Sequence, residues 1–346
     1  MRAWDEESAT PKVRWNAMSP LVQPRLINGP YDDPGLILDF RHQRRAILFD
    51  LGDNHALSAR ELTRVSHVFV SHAHMDHFGG FDRLLRLRLH RPGPLSLTGP
   101  PGFVERVEHR MRSYTWNLLD ETSVDCVLVV AEFDGTGLAG AARFPARRGF
   151  KREDIQAPSL GPGLVHDEEA FRIEAAALDH GIPSLAFRLQ ERIRVNVHRD
   201  GLMALGLPVG PWLNLAKAAV RQGLPDDTAV TVGEERIPLG RIREHALRVG
   251  PGQSVAYVVD ALGSAENEAS ILRLARDADQ LFVEAAFLDA DREIAAVRRH
   301  LTAGQAGRFA RRAGVRRMIP LHHSPRYLDR PDALRLEAEA AFEGVP

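Results

Sequence analysis

The stretch Ser71-His-Ala-His-Met-Asp-His-Phe-Gly-Gly80 brings three imidazoles and one carboxylate together within six residues. It follows the apolar run Val68-Phe-Val70, whose β-branched and aromatic residues predict a buried strand. The histidines therefore leave the carboxyl end of that strand, and the paired glycines allow the backbone to turn sharply there. We interpret the stretch as a metal site, against the alternative of a solvated histidine-rich loop.

The spacing of these side chains predicts two cations. If the segment curls from a loop into a helix, His72 and His74 converge on one ion, while Asp76 and His77 lie about a turn further on and face a second. Imidazole and carboxylate ligands without a thiolate suit Zn²⁺, with Mn²⁺ or Fe as substitutes. We therefore expect two divalent metal ions as cofactors, with Zn²⁺ as the first candidate.

The order His72-x-His-x-Asp-His77 followed by Gly-Gly resembles the signature of the metallo-β-lactamase superfamily. The resemblance implies an α/β fold, a four-layer αββα sandwich with a two-metal cleft at one edge. Later motifs are similar to those of ribonuclease Z, a tRNA 3′-processing endonuclease: His180-Gly, His300-Leu-Thr-Ala and His322-His-Ser-Pro-Arg-Tyr327. The resemblance covers residues from about 36 to 330.

The resemblance implies seven metal ligands: His72, His74 and His180 for one ion, Asp76, His77 and His322 for the other, and Asp260 between them. Asp260 ends a strand-like apolar run, where an unpaired carboxylate would be costly to bury. The alternative is that it caps a helix predicted over 265–276. Neighbours on a strand point to opposite faces, so only one of His322 and His323 can reach the site, and the family resemblance selects His322.

Three residues are candidate catalytic groups: Asp76, Glu284 and His300. The resemblance implies that Asp76 orients a hydroxide bridging the metals as well as binding one of them. It also implies a His-Glu-Ala motif whose histidine donates a proton to the leaving group, but this chain has Val283 at that position. Glu284 is therefore expected to lack its histidine partner, and His300, His323 or a water would have to supply the proton.

Three further sets of residues have candidate roles. Ser324 and Arg326 are candidate substrate-binding residues, and Arg326 could hold either a phosphate or a nearby carboxylate. Asp50-Leu-Gly52 resembles the Asp-x-Gly that precedes the metal loop in superfamily members, so Asp50 is expected to brace that loop. The arginines and lysine over 143–152 form either an anion patch or ordinary surface.

Composition limits the function classes. The chain has 346 residues, 44% of them hydrophobic, and a net charge of -1, so no global basic field draws it to nucleic acid. The single cysteine, Cys126, excludes a disulfide within the chain. No uncharged run approaches the roughly 20 residues of a membrane span, and the first residues lack a signal-peptide pattern. We therefore expect a cytoplasmic protein with no membrane partner.

We predict a single domain over residues 1–346, with an irregular lead-in to about residue 35 and an insertion at about 192–250. The insertion is short, and its sequence predicts no strong apolar core of its own. Its Gly206-Leu-Pro-Val-Gly-Pro211 resembles the region of ribonuclease Z that bears the tRNA-gripping arm. The family's arm is basic, whereas here acidic residues offset the basic ones: Lys217 and Arg221 against Asp226, Asp227, Glu234 and Glu235. Strong tRNA gripping is therefore not expected.

Three functional hypotheses remain at this stage. The first is a ribonuclease Z-type phosphodiesterase that acts on RNA, such as a tRNA precursor, or on a smaller diester. The second is a hydrolase of another small ester, such as a sulfate ester or lactone. The third is an iron protein that handles oxygen or sulfur on the same fold. The resemblance also implies a homodimer.

Overall fold

The structure is a computed structural model that describes residues 19–40 and 43–345. Most of the predicted lead-in, residues 1–18, and part of the turn predicted at 41–45 lie outside the described residues. The chain divides into two compact units, a larger one formed by Leu21–Arg192 and Pro251–Pro346, and a smaller one that contains Ile193–Gly250. The two are described separately below.

The first half of the larger unit forms one sheet whose strands lie side by side in sequence order. Its strands are β1 Val22–Leu26, β2 Leu36–Phe40, β3 Ala46–Phe49, β4 Val65–Phe69, β5 Gly93–Gly99, β6 Cys126–Phe133, β7 Leu138–Pro145 and β8 Glu153–Ile155. Its helices are α1 Ala59–Leu62, α2 Met75–Phe78, α3 Phe81–Arg88 and α4 Phe103–Arg112. The strands from β3 to β6 run parallel, so the loop after β4 opens at the sheet's carboxyl edge.

The prediction of an irregular lead-in to residue 35 is wrong in part, because β1 lies within it. This strand is at the edge of the sheet and pairs only with β2 among the described strands. Pro24 sits in its middle. Proline lacks the amide proton that a central strand needs, but an edge strand tolerates it.

The next three strands are β9 Leu164–Asp167, β10 Phe171–Asp179 and β11 Pro183–Glu191, and they begin the second sheet of the larger unit. The smaller unit then follows in sequence. It contains α5 Arg199–Ala204, α6 Trp212–Arg221 and α7 Leu239–Ala246, a pair formed by β12 Ile193–Val197 and β15 Leu247–Pro251, and a hairpin of β13 Ala229–Val232 and β14 Glu235–Pro238.

The smaller unit has its own apolar cluster, to which each of its three helices contributes buried residues, among them Leu202, Trp212 and Ile242. The expectation that this segment lacks an apolar core is therefore wrong. Its helices have 6, 10 and 8 residues. Each buries only a narrow stripe, and such short stripes are weak signals in a sequence.

The chain returns to the second sheet with β16 Ser254–Val258, β17 Gln280–Glu284 and β18 Met318–Leu321, which run parallel to one another. The sheet order is β18-β17-β16-β11-β10-β9. Four helices complete the larger unit: α8 Ala265–Leu274, α9 Arg292–Arg298, α10 Ala303–Arg312 and α11 Ala333–Glu343.

The predicted αββα sandwich is confirmed in the larger unit by three apolar layers. The middle layer joins the two sheets, with Phe49 of β3 stacked on Phe187 of β11 at 5.3 Å between ring centroids. One outer layer packs α1, α3 and α4 on the first sheet, and the other packs α8, α10 and α11 on the second. None of the helices in the described part of the chain has the length and apolar character needed to cross a bilayer.

Candidate metal centre

The sequence-predicted donors follow the ends of strands that meet at one edge of the sandwich. The loop after β4 carries His72 and His74, and α2 carries Asp76 and His77. His180 follows β10, Asp260 follows β16, and His322 follows β18. Because β16 and β18 are aligned in parallel through β17, their carboxyl ends deliver Asp260 and His322 side by side.

The paired glycines after α2 are needed for close packing rather than for a turn. Neither has a positive φ. A side chain at Gly80 would place Cβ 2.1 Å from the carbonyl oxygen of Gly52, and one at Gly52 would lie 2.1 Å from the carbonyl oxygen of Asp76. The strand-end Asp-Leu-Gly segment and the metal loop can therefore touch only as bare backbone.

The structure gathers the donors into two groups that share Asp260. In the first, His72, His74, His180 and Asp260 each offer an atom within 4.8 Å of the others. Asp260 Oδ2 lies 3.4 Å from His72 Nε2 and 3.2 Å from His180 Nε2. One oxygen of Asp260 therefore faces the first group.

The second group consists of Asp76, His77 and His322, again within 4.8 Å of one another. The other oxygen of the shared carboxylate, Asp260 Oδ1, lies 3.5 Å from His77 Nε2 and 2.9 Å from His322 Nδ1. Asp76 Oδ2 lies 3.5 Å from His77 Nε2 and 3.4 Å from His322 Nε2. Asp260 thus presents one oxygen to each group, which is the arrangement a shared ligand requires.

These donors fit divalent cations because several of them are buried and have no hydrogen-bond partner. His72 Nε2, His77 Nε2, Asp260 Oδ1 and His322 Nδ1 are all orphaned. Asp260 is only 2% exposed. Burying a carboxylate oxygen that has no hydrogen bond costs on the order of several kcal/mol, and a bound cation would remove that cost. The set contains imidazoles and carboxylates and no thiolate, which suits Zn²⁺, Mn²⁺ or Fe.

Asp50 braces the metal loop, as predicted from Asp50-Leu-Gly52. It is fully buried and accepts hydrogen bonds from Ser71 N (2.6 Å), Ser71 Oγ (2.9 Å) and Tyr257 Oη (3.0 Å). Its Oδ2 also lies 2.8 Å from His77 Nδ1. This contact fixes the His77 ring so that Nε2 faces the second group. No sequence motif indicated Tyr257, which lies in the buried strand β16.

A second brace holds His180. Its Nδ1 lies 2.8 Å from the carbonyl oxygen of Arg299, so that Nε2 faces Asp260. Arg299 has a left-handed backbone with φ 61°, and its guanidinium pairs with Asp179 at 3.3 Å. Arg299, the residue before His300 in sequence, is therefore part of the centre, and no sequence motif indicated it.

Glu284 has a histidine partner, so the expectation that it lacks one is wrong. Its Oε2 lies 2.8 Å from His300 Nδ1, while Oε1 accepts the backbone N–H groups of Ala261 and Leu301 at 2.8 and 3.1 Å. Burial lowers the pKa of His300, but the charge and the hydrogen bond of Glu284 outweigh it and raise that pKa above its ordinary value. The pair therefore favours the protonated form of His300 beside the donor groups.

Val283 is not positioned to replace that histidine. Glu284 faces the centre, and on a strand the preceding side chain points to the opposite face. Val283 is fully buried in the apolar layer beneath α8 and α10. A histidine at 283 would enter this layer rather than the centre.

The alternative role for Asp260 as a helix cap is also excluded. The cap of α8 is Ser264, whose side chain accepts the N–H of Asn267. His322 belongs to the second donor group, whereas His323 belongs to none found among the described residues. The His323 ring is buried against the edge of Tyr31 at 5.0 Å, and burial lowers its pKa to about 4.

The candidate substrate-binding residues lie beside a cavity of about 390 Å³ that His300 and His322 also line. Ser324 caps the short 3-10 turn Pro325–Tyr327. Arg326 is exposed, and its Nε lies 3.6 Å from Asp291 Oδ2. The near partner of Arg326 is thus a carboxylate, although the contact is long.

The basic cluster at 143–152 is largely neutralised. Arg143 pairs with Glu153 at 2.6 Å, and Arg152 pairs with Glu108 and Asp154 at 3.1 and 2.7 Å. These contacts favour ordinary paired surface over an anion patch.

Comparison with known proteins first defines the superfamily. The model of the Metallo-beta-lactamase superfamily matches residues 33–130, which span the metal loop. Among solved structures, a long form RNase Z from yeast superposes with a TM-score of 0.50 at 12% identity, covering 89% of this chain and 38% of that one. This likeness shows the fold alone.

Relatives at higher identity define the family. A ribonuclease Z of Deinococcus radiodurans is 32% identical over 286 residues, which is 81% of this chain and 83% of that protein. A ribonuclease Z of Thermobifida fusca is 34% identical over 315 residues, covering 88% of this chain and 83% of the relative. The chain belongs to the ribonuclease Z family. The expectation of a metal-dependent hydrolase is thereby confirmed, and the fold implies divalent metal ions.

Proposed function

We propose that this chain cleaves the 3′ extension of tRNA precursors as a two-metal phosphodiesterase. The observation that carries the proposal is the juxtaposition of two donor groups, joined by Asp260, with a Glu284–His300 pair whose contact raises the pKa of His300. Phosphodiester cleavage needs both parts, since charge develops on the phosphoryl oxygens and a poor leaving group needs a proton. Hydrolysis of a lactone or an activated ester would not need a proton donor for the leaving group. The Glu284–His300 pair therefore favours the phosphodiesterase.

The proposed ligand assignment divides the centre at Asp260. One Zn²⁺ would be held by His72, His74, His180 and Asp260. The other would be held by Asp76, His77 and His322 together with Asp260, whose Oδ1 lies near His77 and His322. When bound, such cations act as Lewis acids and make a hydroxide nucleophile available at neutral pH.

The protein's own side chains are assigned three tasks in the reaction. Asp76, which is partly exposed, accepts a hydrogen bond from the attacking water and orients it. A bond forms from that water's oxygen to phosphorus, one proton of the water passes to solvent beside Asp76, and the bond from phosphorus to the departing oxygen breaks. His300 donates its proton to the departing oxygen, and Glu284 stabilises the imidazolium before transfer and keeps the ring in place.

Two finer features complete the proposal. The smaller unit is a shortened arm in which acidic residues limit electrostatic contact with tRNA; of its basic residues, Arg243 pairs with Asp226 at 2.7 Å. The protein is a homodimer, as the family resemblance implies, and light scattering during gel filtration measures this directly.

The experiment compares wild type, Asp260→Ala and Asp329→Ala on a tRNA precursor with a 3′ extension. Asp329 is exposed and outside the donor groups, and it serves as the matched control. We expect about two zinc ions per chain and 3′ cleavage for wild type and the control. Asp260→Ala should retain little metal and little activity while eluting as folded protein. Full metal occupancy in Asp260→Ala would refute the shared-ligand assignment, and a metal-loaded wild type that leaves the precursor intact would refute the substrate.

A further inference from the structure

The cavity beside the metal centre has a defined relation to the proposed proton donor. Its wall includes His300 and His322, which also belong to a donor cluster with Asp260 and Glu284. A substrate group in this cavity is therefore adjacent to the imidazole that releases the proton. Since that proton goes to the departing oxygen, the cavity lies on the leaving-group side of the scissile bond.

Two guanidinium groups line this cavity, one from α9 and one from the turn after β18. Arg298 is exposed, and within residues 19–40 and 43–345 its side chain has no ion-pair or hydrogen-bond partner. Arg326 has only the 3.6 Å contact with Asp291, and that carboxylate already accepts a hydrogen bond from Tyr327 Oη at 2.5 Å. Both guanidinium groups are therefore available to an anion, and their planar donors match a phosphate.

The rest of the wall is suited to an apolar ring. Phe287 and Ile294 also line the cavity and contribute apolar surface. At about 390 Å³ the cavity falls within the range of roughly 300–1,000 Å³ that small-molecule sites occupy. An apolar wall with cations at its border fits a nucleoside that carries a phosphate, because bases stack on apolar and aromatic surfaces.

We propose that this cavity binds the leaving-group nucleotide and that Arg298 and Arg326 hold its next phosphate, one linkage away from the scissile bond. The proposal rests on the proposed function, and it adds a specificity-determining residue, Arg298, that no motif indicated. It also explains how the enzyme would distinguish an RNA strand from an isolated diester. Only the strand carries the second phosphate.

The test uses a precursor RNA in which the single linkage next to the scissile bond, on the leaving-group side, is a neutral methylphosphonate. For wild type, we expect this substitution to lower kcat/KM by about tenfold or more, as for loss of a charge-assisted contact. Arg298→Ala should lower kcat/KM on the all-phosphate RNA by a similar factor, and the neutral linkage should then cost it little more. Bis(p-nitrophenyl) phosphate has no second phosphate, so its hydrolysis should be unchanged in Arg298→Ala.

The matched control is Arg292→Ala, which removes an exposed arginine from the same helix but not from the cavity wall. It should cleave both RNAs like wild type. If Arg298→Ala cleaves the all-phosphate RNA at the wild-type rate, or if the neutral linkage costs wild type and Arg298→Ala the same factor, the subsite is refuted while the proposed function stands. If wild type cleaves neither RNA, the proposed function fails and the subsite fails with it.

Discussion

Removal of the proton donor should affect substrates according to their leaving groups. In His300→Ala the imidazole held 2.8 Å from Glu284 Oε2 is lost, and the carboxylate remains buried with two backbone N–H donors. A positioned general acid contributes roughly 10² to 10⁴ in rate when the leaving group departs poorly as an anion. An RNA alkoxide belongs to that class, whereas nitrophenolate leaves without a proton.

Glu284→Gln tests the same pair without removing the imidazole. If the glutamine oxygen keeps the N–H groups of Ala261 and Leu301, its amide nitrogen faces His300 Nδ1 and must donate to it. The imidazole is then neutral with its proton on Nε2, and it loses the charge that raises its pKa. Loss of a hydrogen bond to a charged group is worth about 1.5–3 kcal/mol, so RNA cleavage should fall by about 10- to 100-fold.

The assay measures kcat for a tRNA precursor and for bis(p-nitrophenyl) phosphate with each variant loaded with zinc, after circular dichroism confirms folding. For His300→Ala we expect a loss of at least about 10² on RNA and less than about threefold on the activated diester. Glu284→Gln should fall between His300→Ala and wild type on RNA. Equal losses on the two substrates would refute the assignment of His300 as the proton donor.

Three further outcomes test other parts of the structure. His322→Ala should lose bound metal, as measured by elemental analysis, whereas His323→Ala should keep it; the reverse result would exchange their roles. Val283→His should lower stability by about 1–3 kcal/mol in urea denaturation, because it puts a polar ring into an apolar layer, and any gain in diester cleavage would show that residue 283 reaches the centre. Burial, helped by a neighbouring imidazole and guanidinium, lowers the pKa of His67 to about 3, so the unfolded chain takes up a proton first as pH falls below about 6.5. The contribution of neutral His67 to the free energy of unfolding is therefore complete above about pH 6.5. It declines toward pH 3, with about 2 kcal/mol of it lost by pH 5. His67→Phe should reduce that loss and exposed His109→Gln should not; identical pH profiles would contradict the argument.

The sequence predicted that four of the donors lie close together because that information is local. His72, His74, Asp76 and His77 follow one strand within six residues, and a strand end fixes where they emerge. The donors further along the chain were found through the family resemblance, since His180, Asp260 and His322 are separated by tens of residues. These three donors come together only through the order of strands in the sheet, and no single stretch of sequence specifies that order.

The partner of Glu284 was missed for the same reason. The residue before Glu284 in sequence is Val283, whereas the histidine partner comes from the segment after α9. The motif His300-Leu-Thr-Ala predicts a candidate residue but contains no information on its distance from Glu284. Strand alternation excludes residue 283, because the side chain next to a glutamate that faces the donor groups must face the opposite side of the sheet.

Strand alternation does not explain why His322 rather than His323 faces the donor groups. His322 lies just beyond the last residue of β18 and has a left-handed backbone with φ 57°, so strand alternation does not apply to it. Asp50 and Asp260 also follow strand ends with positive φ, at 59° and 47°. Aspartate and histidine tolerate this conformation better than most residues, yet each instance costs on the order of 1–3 kcal/mol. The three strained positions turn side chains toward the donor groups at the edge of the sandwich. Backbone strain at the strand ends therefore helps to orient these side chains toward the donor groups. The sequence shows only that residue types able to adopt a positive φ are present at these positions.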